Sequence, residues 1–408
     1  MGTAMPLAYN IIISHHITSQ KFYSRGVTKL EKKRRIFFLD NLKAFIVCLM
    51  IVFHAAMCYM AYAPEWWYTV DKADPKFVFT LFVLWADIFI MPVMFFISGY
   101  FGIMSLSRQT GAQFWKSKLL RIVLPWIAGV ILLAPPVTYI MFASRGIPMD
   151  YVNDYLFKLF VFGPCFSHVQ YWFLGMLTYL YIALFLFCKI MPSFKERQGI
   201  SIPGPKLFVG FAVLCYICTA AAYFYVNGNY DLWCNIWPVL VYQPTRISFY
   251  PLYFFLGAYA WRHQWFVEGG YKADPAKWLP AFIVTGIAYL FYTTMGAPTA
   301  ASPEQYMLVK AAIHVLFLLS AVFGLLAIFQ SKLDYTNGIL GELAANSYNM
   351  YYTHMGLVML IAWGFLSIDL PTYPKYIIVS ILSLLASYLT GKILMVLPCF
   401  SVGNKAKK

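Results

Sequence analysis

The sequence predicts an all-α, polytopic membrane bundle of about ten helices with both termini in the cytoplasm. Three observations carry that expectation. Of 408 residues, 61% are hydrophobic and only 12% charged, with mean hydropathy +0.66, whereas soluble domains are about 45–50% apolar and about 25% charged. The apolar residues recur in stretches that each suffice for a membrane-crossing helix of about 20 residues. Finally, the net charge of +15 is distributed by side, which reads as topology and excludes nucleic acid as the partner.

Spans are expected at 36–61, 77–104, 122–143, 169–188, 207–226, 246–261, 278–297, 310–330, 343–366 and 376–399. Before the first, the apolar patch Ile11 to Ile13 is too short for a signal sequence, and the run Lys32-Lys33-Arg34-Arg35 abuts a full-length span. Residues 1–34 therefore read as a cytoplasmic tail, 35–400 as one membrane domain and 401–408 as a second tail. With the N-terminus inside, inner segments hold 22 of the 31 Lys and Arg. Outer segments hold seven, Lys72, Lys76, Arg145, Lys158, Arg246, Lys310 and Lys375, and Lys43 and Lys392 sit inside spans. Such a bias requires an even number of crossings. The sixth span is short, and its approach is broken by Pro238, Pro244 and Pro251. Broken backbone survives at membrane depth only against protein or a wet cavity, so this region is expected to border an outer cavity. The eight cysteines lie mostly within apolar stretches, and no metal site or disulfide scaffold is expected.

Loops this short leave the chemistry to the spans and their mouths. Ionisable groups in hydrocarbon are costly and therefore functional candidates, and the first span holds three: Asp40, Lys43 and His54. At helical pitch Lys43 and His54 differ by about 20° and Asp40 and His54 by about 40°, so all three share one stripe. The rise puts Lys43 about 16 Å and Asp40 about 21 Å from His54, too far to touch it. The stripe suggests Asp40 and Lys43, a charge pair, near the cytoplasmic mouth. His54 would lie near the midplane, where a neutral imidazole, of ordinary pKa about 6.5, could act as a general base.

These residues and their neighbours resemble the membrane acyltransferase-3 family. The resemblance rests on Leu39-Asp40 followed by Lys43-x10-His54, Phe95-Phe96-Ile97-Ser98-Gly99-Tyr100-Phe101, Tyr171-Trp172-Phe173-Leu174, and Ser347-Tyr348 through Tyr352-Thr353-His354. Phe38-Leu39-Asp40 and Tyr250-Pro251-Leu252-Tyr253-Phe254-Phe255-Leu256-Gly257-Ala258 are most similar to its branch that succinylates periplasmic glucans. The resemblance implies an enzyme of the inner membrane that takes an acyl group, acetyl or succinyl, from cytoplasmic acyl-CoA and delivers it to a hydroxyl of an extracytoplasmic saccharide. Acyl-CoA would be a co-substrate, with no bound cofactor, and membrane lipid would surround the site. His54 matches the family's catalytic histidine and Lys43 the cation eleven residues before it. The family's Arg-x-x-Arg stands here as Lys118-Leu-Leu-Arg121, a partial departure. Lys118 and Arg121, three apart on a helix, would offer two cations to the phosphates of CoA. Where the family often has a histidine before the Trp of span four, this chain has Gln170, with His168 two residues earlier.

Depth arithmetic adds one expectation. Asp87, about 15 Å below the start of span two, and His54, about 27 Å up span one, are expected at similar depths, slightly outside the middle. Asp87 is thus a candidate to orient the His54 ring, as the carboxylate of a catalytic triad does. Ser98, beside a glycine that permits close packing, is placed near the acyl-CoA path. Arg246, His354 and Trp172 are candidates for the acceptor or the acyl group. Arg246, Lys310 and Glu304 sit at outer mouths, and Trp66, Trp67, Trp233 and Trp237 read as interfacial belt residues. The rival class is a proton-coupled carrier or flippase, which also uses intramembrane His, Asp and Lys.

Overall fold

The computed structural model describes residues 35–64 and 66–401; Ser401 apart, the expected tails lie outside them. Ten helical segments stand where ten spans are expected. They are α1 Phe37–Met57, α2 Phe77–Arg108, α3 Gly111–Ala143, α4 Val169–Ile190, α5 Pro205–Val226, α6 Phe249–Arg262, α7 Pro275–Met295, α8 Pro303–Lys332, α9 Gly338–Gly364 and α10 Thr372–Leu394. Among the described residues eight are long and apolar enough to cross a membrane. The others are α6, whose 14 residues reach about 21 Å, and α9, whose buried face carries Asn346, Ser347, Asn349 and His354. The protein is a multi-pass helical bundle. Its inner layer is α8 with α1, α2 and α4, mostly buried, while α5, α7 and α10 turn most of their surface outward. On α7 that surface is Ile283, Val284, Ile287 and Phe291, side chains suited to lipid.

The tightest seam joins α2 to α6. A Cβ on Gly99 would lie 1.8 Å from the carbonyl oxygen of Phe254, and one on Gly257 would lie 2.0 Å from that of Phe96. The two glycines thus occupy reciprocal positions, and only hydrogen side chains let the backbones meet. This contact holds the short α6 inside the bundle.

Prolines account for the departures from regular helix. The turn Asp87–Phe89 splits α2 into Phe77–Ala86 and Ile90–Arg108, because the Pro92 ring would collide with the Ile88 carbonyl four residues back. In α3, Pro125 likewise displaces the Arg121 carbonyl, and the backbone widens to a π-helical turn at Leu119–Val123. The released carbonyl accepts a hydrogen bond from the Tyr348 hydroxyl at 2.7 Å. The Pro125 carbonyl accepts one from Tyr352 at 3.1 Å. Both tyrosines belong to α9, so the breaks in α3 are docking points for it.

Between α5 and α6 the chain forms an antiparallel hairpin, β1 Cys234–Ile236 and β2 Leu240–Tyr242, then the helical turn Pro244–Ile247. The loop between α1 and α2 is pinned by a buried ion pair, Asp71 to Lys375 at 2.7 Å, with side chains 9% and 5% exposed. Thr372 donates to the carboxylate and carbonyl oxygens of Asp74. Arg145 donates to the Trp67 carbonyl at 2.9 Å.

Candidate active site

Where α1 ends, the loop after it, the α2 break, the hairpin and the outer parts of α4 and α8 enclose a cavity of about 1160 Å³. Drug-sized ligand pockets are about 300–1,000 Å³. The broken approach to α6 contributes Val241, Gln243, Thr245 and Arg246 to its wall, as the prolines lead one to expect.

His54 lines this cavity. Its ring stacks on Trp67, 5.6 Å between centroids at 10°, and its Nδ1 lies 3.1 Å from Nε2 of His354. The protonation pattern follows from the far end of this chain. Nδ1 of His354 is 2.6 Å from the Tyr351 carbonyl, an oxygen that can only accept, so Nδ1 holds the proton. In a neutral His354, Nε2 is then a lone pair, and His54 must donate to it through Nδ1–H. With Nδ1–H turned to His354, Nε2 of His54 carries the lone pair; the Met50 carbonyl is a further hydrogen-bond partner of the ring.

This geometry corrects two expectations. Asp87 does not orient His54: its carboxylate forms an ion pair with Arg246, and the partner of the His54 ring is His354. Both Asp87 and His54 line the cavity, but each meets a different partner. His354 in turn is not an acceptor or acyl-group ligand, since it is 0% exposed and both ring nitrogens are engaged.

The remaining candidates fall in two groups. Arg246 and Trp172 line the cavity, and Trp172 stacks on Tyr250 at 5.2 Å. Toward the other end of α1, the Lys43 ammonium lies 4.0 Å from the Asp40 carboxylate. Lys118 is half-buried, its ammonium 4.0 Å from the Tyr181 ring and 5.1 Å from that of Phe114, while Arg121, beyond the start of the wide turn, is exposed. The Ser98 carbonyl accepts from the Tyr181 hydroxyl at 3.3 Å. His168 is buried, its Nε2 3.0 Å from the Pro238 carbonyl, where it anchors the hairpin loop.

Several wall residues escaped the sequence reading. Trp66, Trp67 and Trp233 face the cavity and are not belt residues; Trp66 packs on Trp233 at 6.1 Å and Trp233 on Trp172 at 6.2 Å. Asp231 accepts from Trp66 Nε1 at 3.2 Å and Gln243 Nε2 at 2.9 Å. Burial pushes its carboxyl above the usual range, opposed by the Arg246 guanidinium. Val169, at the neck of α4, has φ +48°, a conformation costly for a β-branched residue. Gln170 and Tyr171 hold that turn by donating to the Tyr352 carbonyl at 3.1 and 2.9 Å. A row of aromatic rings beside carboxylate, amide and guanidinium groups is chemistry suited to a polyhydroxylated ligand.

A half-buried histidine thus borders a large cavity lined by polar and aromatic side chains, and comparison with known proteins supplies the class to which the chain belongs. The chain belongs to the membrane acyltransferase-3 family, whose sequence model, described as an acyltransferase domain, matches residues 36–392. Among curated relatives, the glucans biosynthesis protein C of Salmonella paratyphi B (strain ATCC BAA-1250 / SPB7) is 27% identical over 249 residues, 56% of this chain and 59% of the relative. The protein of the same name from Salmonella choleraesuis (strain SC-B67) matches to the same extent. The alignment thus spans under two thirds of either relative. No solved structure matches the chain.

Proposed function

We propose that this protein, in the inner membrane, moves an acyl group, succinyl or acetyl, from cytoplasmic acyl-CoA to a hydroxyl of an extracytoplasmic saccharide. The observation that carries the reading is the 3.1 Å contact of His54 Nδ1 with His354 Nε2 at the edge of the cavity, from which the Nε2 lone pair of His54 is assigned as the base. A saccharide hydroxyl stacked along Trp66, Trp172 and Trp233 gives its proton to Nε2 as its oxygen attacks the thioester carbonyl. The tetrahedral oxyanion then expels the CoA thiolate, which takes the proton from the imidazolium. His354 accepts the Nδ1–H bond throughout and steadies the positive charge that His54 acquires. The donor approaches from the opposite face, where Lys43, Ser98, Lys118 and Arg121 are available to the CoA phosphates and the acyl chain. The glucan-related names of the relatives support a saccharide acceptor.

Protein reconstituted in vesicles, given acyl-CoA on the side of the termini and an oligosaccharide on the other, is expected to release free CoA and form a saccharide ester in equal amounts. Transport of intact solute with no thioester broken would refute the proposal.

A further inference from the structure

Resting on the acyl-transfer reading, we propose that Lys310 forms an anion-binding subsite in the cavity wall, taking a carboxylate or phosphate carried by a substrate. Lys310 lies in the second turn of α8 and lines the same cavity as His54, yet it is only 6% exposed. Its ammonium sits 3.6 Å from the centroid of Tyr230 and 5.3 Å from that of Tyr306. Among the described residues no carboxylate pairs with it, whereas the other buried lysine, Lys375, is paired with Asp71 at 2.7 Å. Asp87, on the same wall, is already held by Arg246, and Asp231 by Trp66 and Gln243.

Arg246 acts on Lys310 as a like charge, and one turn further along α8 His314 accepts or donates at Nδ1 to the Tyr223 hydroxyl, 2.6 Å away. The aromatic faces lower the cost of the buried charge without satisfying its N–H donors. A desolvated cation that lines a cavity without a counter-ion is completed by an anionic ligand. Snorkelling to the membrane surface is not what this side chain does, because it is folded inward against Tyr230.

The test uses the purified full-length protein and measures labelling of Lys310 by an amine-reactive reagent. Succinate, inorganic phosphate and neutral succinamide are added in separate arms. Protection by succinate assigns a carboxylate ligand, and protection by phosphate a phosphate; either supports the subsite. Equal labelling in all three arms overturns it, whatever the fate of the transfer reaction. In turnover assays, Lys310→Met is expected to raise KM about 10- to 100-fold for a substrate bearing the protecting anion and to leave its uncharged counterpart unchanged, with Lys310→Arg retaining the preference. An equal effect on charged and uncharged substrates, or none on either, also overturns it. Absence of acyl transfer with labelling still anion-protected would refute the enzyme reading and leave the subsite standing.

Discussion

Replacing His354 by leucine removes the acceptor of the His54 Nδ1–H bond while preserving apolar bulk. The contact is 3.1 Å long and its acceptor is 0% exposed, so no water replaces it readily. A buried hydrogen bond to a group that becomes charged is worth about 1.5–3 kcal/mol. Because His54 is charged only as it takes the proton, that loss falls on the transition state and lowers kcat about 10- to 150-fold. KM for the saccharide is expected to stay within about twofold, since His354 touches no substrate. His354→Gln, whose amide oxygen can accept the same bond, should recover most of the rate. The assay is thiol release from acyl-CoA with the oligosaccharide varied, on variants that elute as folded protein in detergent. A folded leucine variant with unchanged kcat, or one changed only in KM, would refute the relay through His354.

Two further predictions concern stability. Gly99→Val places side-chain atoms inside the Phe254 carbonyl, so thermal unfolding in detergent should show a loss of more than about 3 kcal/mol, against a small effect at Gly210, which has nothing within 4 Å. Asp71→Asn leaves the Lys375 ammonium buried and uncompensated and is expected to cost about 3–5 kcal/mol, whereas the double replacement Asp71→Leu with Lys375→Met restores most of the stability; a melting curve unchanged by Asp71→Asn would contradict the pinning of this loop.

The helices were readable because membrane spans declare themselves by local composition, and α6 declared its irregularity through Pro238, Pro244 and Pro251. The stripe through Lys43 and His54 was likewise local, requiring only the pitch of one helix. Pro92 and Pro125 stood in the sequence as signals for the breaks in α2 and α3, but within long apolar stretches the span signal outweighed them. What could not be read was lateral neighbourhood. Depth arithmetic placed Asp87 level with His54, yet Asp87 lies in the turn that breaks α2, and its carboxylate meets Arg246. His54 and His354 are 300 residues apart, and no spacing rule joins α1 to α9. The tryptophans of the loops looked interfacial because sequence does not reveal that their loops fold back over a cavity.

The central claim is that Nε2 of His54 takes the proton of the attacking hydroxyl. Purified wild-type and His54→Gln proteins, incubated with radiolabelled acyl-CoA and an oligosaccharide, should differ at least about 10³-fold in labelled saccharide ester while showing the same thermal stability. Ester formation by His54→Gln at close to the wild-type rate would contradict the account.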